Sequence, residues 1–494
     1  MAEPLLLALD QGTTSTRSIL FDRRGRPLHT ATRPLRQSYP ADGWVEHDSE
    51  EIYAASVEVL GEAFAAAGAA GEIAAIGITN QRETVVIWDK ATGRPIHPAI
   101  VWQDRRTADV CLRLKGAEDE VAAVTGLLLD PYFSATKIAW MLDRIEGARA
   151  RAERGELLCG TMDTWLVWRL TGGAVHATDA TNASRTLLFD IGAQSWSSRM
   201  LALFDIPESL LPEVRDTVAD YGETLADLLG RSVPIRGVVG DQQGALMGQG
   251  CIAPGQMKAT YGTGCFMLLN TGSTRPVSRS RLLATVAARV EGQATYALEG
   301  SIFVAGAAVQ WLGEGLGLAG GPQAADALAQ TAREGHGVVM VPAFTGLGAP
   351  WWDADARGAI FGLTRDAGLP EIAQATFDAS ALQTRDLIEA MRADAPHALG
   401  PGSELRIDGG MASSAWFSQR LADLTGQPVG QVSYAETTAL GAAMFAGLGA
   451  GVFSSVEDAA AIRPSARSLT PAMDTHVREA AYARWLDAVA RVRS

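Results

Sequence analysis

The chain has few cysteines, no long apolar run and no block of basic residues, and each lack removes a class of function. Its 494 residues hold four cysteines, Cys111, Cys159, Cys251 and Cys265. No two of them stand at CxxC or zinc-ligand spacing, so they read as free thiols in a reducing compartment. The seven histidines show no metal-ligand spacing either. No uninterrupted apolar stretch reaches the length of a membrane span. The N-terminus, MAEPLLLALDQG, lacks a basic leader and reads as a first strand, not a signal peptide. A cytoplasmic protein is expected, in which the sequon Asn182-Ala183-Ser184 has no role. With a net charge of -14 and no Lys/Arg block, the chain is a poor match for nucleic acid or an anionic membrane. It contains no Walker A sequence and no GxSxG nucleophile motif. Gly315-Leu316-Gly317-Leu318-Ala319-Gly320 matches GxGxxG but follows a predicted helix rather than a strand, so a dinucleotide site fails on context.

What is present is a large soluble chain, 47% apolar and 20% charged, long enough for two domains. The first forty residues read as three strands joined by tight turns. A helix follows from near Ser49, capped by Asp48 or Ser49. Strands are predicted over 73–79 and 84–88, and a helix over Ser134 to Arg144. The second half repeats this grammar: a strand-turn-strand over Lys258 to Asn270, helices over Val304 to Leu312 and Leu369 to Arg392, a strand over Leu405 to Asp408, and a helix from Ala415. The pattern predicts two similar α/β domains with a cleft between them, divided as 1–247 and 248–494.

Three turns can carry phosphate chemistry. Asp10-Gln11-Gly12-Thr13-Thr14-Ser15-Thr16-Arg17 lies between two strands. Its glycine permits a tight turn, its hydroxyls and backbone N–H groups can line a phosphate, and Asp10 can hold Mg²⁺. An ordinary polar hairpin turn explains the same residues equally well. Gly262-Thr263-Gly264 and Asp408-Gly409-Gly410 are weaker candidates of the same kind in a chain with 52 glycines. For a phosphoryl acceptor, Asp241 in Gly240-Asp241-Gln242-Gln243-Gly244 stands at a strand-helix junction. It suits a general base, but the residues alone favour a helix N-cap. Asn80-Gln81-Arg82-Glu83-Thr84 is a polar cluster that either converges on a small polyol or is a solvated loop. Trp102 and Tyr132 flank it in sequence, as core residues or as aromatic walls for the carbon face of such a ligand.

Taken together, these segments resemble the FGGY carbohydrate-kinase family. Stretches such as LALDQGTTSTRSILFD, ITNQRETVVIWDKATGRPI, GTMDTWLVWRLTGG, GDQQGALMGQG, TYGTGCFMLLNTG and ETTALGAAMFAG run through nearly the whole chain. The family's two signature regions match at Tyr132 to Arg144 and Gly358 to Asp378, the first departing at Arg144. The resemblance implies two actin-like, ribonuclease-H-like domains and ATP-dependent phosphorylation, with glycerol as acceptor or, alternatively, another small polyol or sugar. It implies that Arg82, Glu83, Tyr132, Asp241 and Gln242 hold the acceptor, that Trp102 and Phe266 wall it, and that Asp241 is the base. It places ATP phosphates at Thr13, Thr14, Ser15, Arg17 and Thr263, with Gly306, Gln310 and Gly410 farther along the nucleotide and Mg²⁺ near Asp10. It also implies a homo-oligomer, a dimer or tetramer, without nucleic-acid partners or membrane insertion. Where the family usually has Asn four residues past the second glycine of the adenine loop, this chain has the shorter Ser414.

Overall fold

The run Leu5-Leu6-Leu7-Ala8-Leu9 is buried along its whole length, which a strand achieves only with both faces covered. In the computed structural model, which describes residues 3–68, 71–400, 402–432 and 436–493, the two covers come from opposite ends of the chain. Side chains alternate across a strand. Leu5, Leu7 and Leu9 share a core with Ile52, Val59, Leu60 and Ala63 of helix Ser49–Ala67. Leu6 and Ala8 share one with Leu440, Ala443, Met444 and Phe445 of helix Thr437–Gly449.

This strand, Pro4–Gln11, sits in the middle of a five-stranded sheet ordered Ile235–Gly240, Glu72–Asn80, Pro4–Gln11, Ser15–Phe21, Pro27–Pro34. It runs antiparallel to Ser15–Phe21 and parallel to Glu72–Asn80. A second sheet, of seven strands, repeats the plan. Its strand Met257–Tyr261 is antiparallel to Cys265–Gly272 across the Gly262–Gly264 turn and parallel to Leu405–Asp408. The loose repetition in the sequence is thus a repeated sheet topology. A smaller sheet that includes Val85–Asp89 and Leu157–Thr161 is inserted beside the first.

The helices that cover the sheets are exchanged. Helix Asp241–Gly248 leaves the end of strand Ile235–Gly240, yet its Leu246 packs with Leu268, Ala287 and Ala297 of the second sheet. It crosses helix Thr437–Gly449 with backbones in contact. A Cβ on Gly248 would lie 1.9 Å from the Thr437 carbonyl oxygen, and one on Gly441 would lie 1.9 Å from that of Gly244. These glycines are required for space.

Local expectations hold with small shifts. Asp48 caps the first long helix, accepting from the amides of Glu50 at 2.9 Å and Glu51 at 3.4 Å. Helix Ser134–Arg144 has the predicted bounds. The helix expected from Val304 begins at Gly306, because the Ala305 and Gly306 amides are bonded to the carbonyls of Thr263 and Gly262. The GxGxxG segment does follow that helix. All four cysteines are buried and free. Among the described residues no helix is long and apolar enough to cross a membrane.

Gly248→Ala and Gly441→Ala should each destabilise the protein by about 3 kcal/mol, since neither carbonyl belongs to a flexible side chain that can move aside. Thermal melts check this, and an unchanged midpoint in both variants would show that the helices can separate without cost.

Candidate active site

Strand Pro4–Gln11 ends in Asp10 and Gln11, and strand Ser15–Phe21 begins at Ser15, so residues 12–14 form the connecting turn. The Gly12 amide donates to the Ser15 carbonyl at 3.0 Å. Thr13, Thr14 and Ser15 all retain exposure there. Asp10 pairs with Arg17 across the hairpin, with Nε 4.0 Å from the carboxylate. Arg17 also donates to Glu436, which precedes helix Thr437–Gly449. Gln81 ties this turn to the next cluster: its Nε2 donates to Gln11 Oε1 at 3.1 Å and to the Gly12 carbonyl at 3.2 Å. Trp102 adds a second tie, its indole N–H donating to Thr13 Oγ1 at 2.9 Å.

Arg82 and Glu83 follow strand Glu72–Asn80, and both are 2% exposed. The solvated-loop alternative is therefore excluded. The backbone turns, bringing Arg82 Nε within 3.7 Å of Glu83 Oε1 and 3.1 Å of Asp241 Oδ1. Asp241 keeps 31% of its side chain exposed, against 2% for Arg82 and Glu83, so it is the most open of the three. It is not the N-cap of its helix. Gly240 occupies that position, and Asp241 is the first helical residue, its carboxylate accepting from the Gln242 amide at 2.7 Å. The N-cap reading fails because the backbone enters the helix one residue early, which frees the carboxylate to face Arg82. The Trp102 amide donates to Thr84 Oγ1 at 3.2 Å, next to the cluster, and the Trp102 ring lies edge-on to Tyr132 at 5.5 Å and to Phe266 at 6.2 Å. Phe266 comes from the second sheet, so the aromatic wall spans both halves.

Burial pushes the Asp241 carboxyl up, with Glu83 adding to the rise and Arg82 and Lys258 opposing it. Burial likewise raises the Tyr132 phenol. Asp10 is raised to about 7 by burial, against Arg17, with Glu436 and Asp241 contributing. A carboxylate raised in this way is a stronger base and a better target for a cation than a solvated one.

Three buried residues escaped the sequence reading. Glu299 accepts from Arg82 Nη1 at 2.5 Å, Arg82 Nη2 at 3.1 Å and Arg185 Nη2 at 2.8 Å. Arg185 Nε in turn donates to Glu83 at 2.8 Å, which closes an alternating ring of four charges. Burial alone would raise Glu299, but Arg185 and Arg82 hold it down to about 2. Lys258, also fully buried, donates to the Gln242 side chain and to Thr260 Oγ1 at 3.1 Å. For Glu299 and Lys258 the available signal was a lone charge inside an apolar strand, which demands a partner; Arg185, in the turn after helix Ala180–Ala183, carried no such signal.

The other candidates lie along the second sheet. The Thr263 carbonyl accepts from Ala305 at 2.9 Å and Ala307 at 3.0 Å, so the Gly262–Gly264 turn seats the start of helix Gly306–Glu314. Gln310 is exposed on that helix, and Gly410 is exposed after strand Leu405–Asp408. Ser414 caps helix Ala415–Thr425, accepting from Phe417 at 3.0 Å and donating to Asp326 at 2.7 Å. Its hydroxyl is therefore already engaged.

Comparison with known proteins agrees along the whole chain. Residues 5–248 match the N-terminal domain of the FGGY family of carbohydrate kinases, and residues 257–450 match its C-terminal domain. The chain is 56% identical over 492 residues to a glycerol kinase of Ectopseudomonas mendocina, covering 99% of each. It is 55% identical to glycerol kinase 1 of Pseudomonas aeruginosa, again covering 99% of each. Among solved structures it resembles that of Plasmodium falciparum glycerol kinase with ADP, with a TM-score of 0.93 and 34% identity, covering 99% of this chain and 98% of that one.

Asp10 offers an electrostatic test that needs no ligand. The native protein keeps its proton up to about pH 7, whereas the unfolded chain releases it near 3.8. Stability therefore falls as pH rises between these values. Asp10→Asn should be more stable than the parent by a margin that grows from pH 5 to pH 8, reaching up to about 4 kcal/mol. Melting curves at the two pH values check this, and an equal margin at both would mean that Asp10 is not the titrating group.

Proposed function

The chain belongs to the FGGY family of carbohydrate kinases, and on that footing we propose that it is an ATP-dependent kinase that phosphorylates a terminal hydroxyl of glycerol, releasing sn-glycerol 3-phosphate and ADP. The observation that carries the reading is the meeting of Asp241 with Arg82 at 3.1 Å, beside the buried Glu83, in a chain that also brings the rings of Trp102, Tyr132 and Phe266 together. A small polyol needs both an apolar wall for its C–H face and fixed polar partners for its hydroxyls.

In this reading Arg82 donates to one hydroxyl, Glu83 accepts from another, and Tyr132 and Gln242 complete the set. Trp102 and Phe266 cover the carbon chain. Asp241 takes the proton from the attacking hydroxyl as its oxygen bonds to the γ-phosphorus and the bond to the ADP oxygen breaks. Its raised basicity suits that task. Thr13, Thr14, Ser15 and Arg17 on one side, and Thr263 on the other, line the phosphates. Gly306, Gln310 and Gly410 extend the nucleotide site, and any adenine contact at Ser414 competes with its two existing hydrogen bonds. Phosphoryl transfer asks mainly for positioning and charge stabilisation, which this set supplies.

Asp10 suits magnesium. It is a carboxylate near Glu436 and Asp241, with Arg17 beside it to balance part of their charge. Among the described residues no three metal-ligating side chains cluster, and magnesium asks for no such cluster, since it takes one or two carboxylates plus water and phosphate oxygens. Bound there, it would neutralise charge on the phosphoryl oxygens. The proposed division of the chain into domains at 247/248 falls within the last turn of helix Asp241–Gly248. Free buried thiols favour a cytoplasmic setting, and the homo-oligomer rests on family resemblance.

Asp241→Asn should retain the fold and glycerol binding while turnover drops roughly 10²–10⁴-fold. Near-normal turnover would remove Asp241 from the role of base. Arg82→Ala should raise the KM for glycerol far more than that for ATP, and an equal rise in both would put Arg82 elsewhere. Assaying ADP release against glycerol, xylulose, gluconate and erythritol tests the acceptor, and a preference for any of the last three overturns the assignment.

A further inference from the structure

Glu299 lies within strand Gln293–Ile302 of the second sheet, and its side chain is fully buried. Its partners belong to the first half of the chain: both Nη atoms of Arg82, 217 positions away, and Nη2 of Arg185. A guanidinium carries five N–H donors. On Arg82, two go to Glu299, one of the Nη1 pair goes to Gln243 Oε1 at 3.4 Å, and Nε faces Asp241. One hydrogen, on Nη2, is left for an acceptor hydroxyl. Its direction is set by the plane of the guanidinium, and that plane is set by the two-point contact with Glu299. Through Arg185, the same carboxylate also fixes Glu83 Oε1, which accepts at 2.8 Å.

We infer that Glu299 is a positioning residue for the acceptor: without touching glycerol, it aims the one free donor of Arg82 and, through Arg185, holds Glu83. The acceptor site is thus completed by a carboxylate that only the second sheet supplies. This rests on the reading of Arg82, Glu83 and Asp241 as the acceptor site.

The test is steady-state kinetics of Glu299→Gln and Glu299→Asp, with glycerol and ATP varied in turn. Misplacing a substrate-orienting group by about 1 Å can cost on the order of 10²-fold. The Gln variant should show a glycerol KM raised roughly 10²-fold, and the Asp variant, which keeps the charge but shortens the arm, roughly tenfold, with the ATP KM changed less than about twofold in both. A residue that only holds the fold together would lower the melting temperature and the active fraction with the glycerol KM unchanged, and that result overturns the inference. If the Gln variant does not fold, the Asp variant decides alone: an unchanged glycerol KM there is equally fatal. Failure of the underlying reading looks different. In that case the parent protein does not phosphorylate glycerol, or Arg82→Ala leaves the glycerol KM where it was.

Discussion

The crossing of helices Asp241–Gly248 and Thr437–Gly449 is the contact on which the rest depends. Two backbones approach so closely that a single methyl group at Gly248 or Gly441 would overlap a carbonyl oxygen. The two helices are also the covers of the two sheets, so the crossing sets how the sheets stand to each other. Asp241 starts one helix. At the start of the other, Thr437 donates to Asp408, the last residue before Gly409-Gly410. The proposed base and the glycine turn are therefore both tied to this pair of crossed helices.

Electrostatics decides how the polar cluster survives beside this core. The chain carries a net charge of -14, which suggests that a phosphate site must assemble its own positive potential. The arrangement found is subtler. Arg82 and Arg185 are each answered by Glu83 and Glu299 in a closed ring, and Arg17 stands between Asp10 and Glu436. Buried charges matched in this way add little stability over an apolar core, but losing one member strands the others and typically costs about 3–5 kcal/mol. The ring is better understood as a device for fixed direction than as a source of stability.

Much of this was legible from sequence. Strand and helix positions followed from apolar periodicity and caps, and the segments holding Asp10, Arg82 and Asp241 stood out as polar clusters at strand ends. The limits were of two kinds. Asp241 fits both a cap and a site, and only the backbone angle at Gly240 separates them. Glu299 and Lys258 show up in sequence as charges stranded in apolar strands, but their partners Arg82 and Gln242 are named by folding, not by spacing. Likewise the unbroken burial of Leu5 to Leu9 could be expected, whereas its second cover, Thr437–Gly449, could not.

That exchange of covers has a consequence for biosynthesis. When the first sheet has left the ribosome, Leu6, Ala8, Ile19 and Phe21 face a helix that does not yet exist. Translation at about 5–20 residues per second leaves this face open for tens of seconds until residue 449 emerges. The nascent amino-terminal half thus carries a sticky apolar surface while most of the second half is being made. The stability of the finished fold gives no protection to that face in the interval, so anything that covers it then, a holding chaperone or an early collapse onto Asp241–Gly248, acts on a surface absent from the native state.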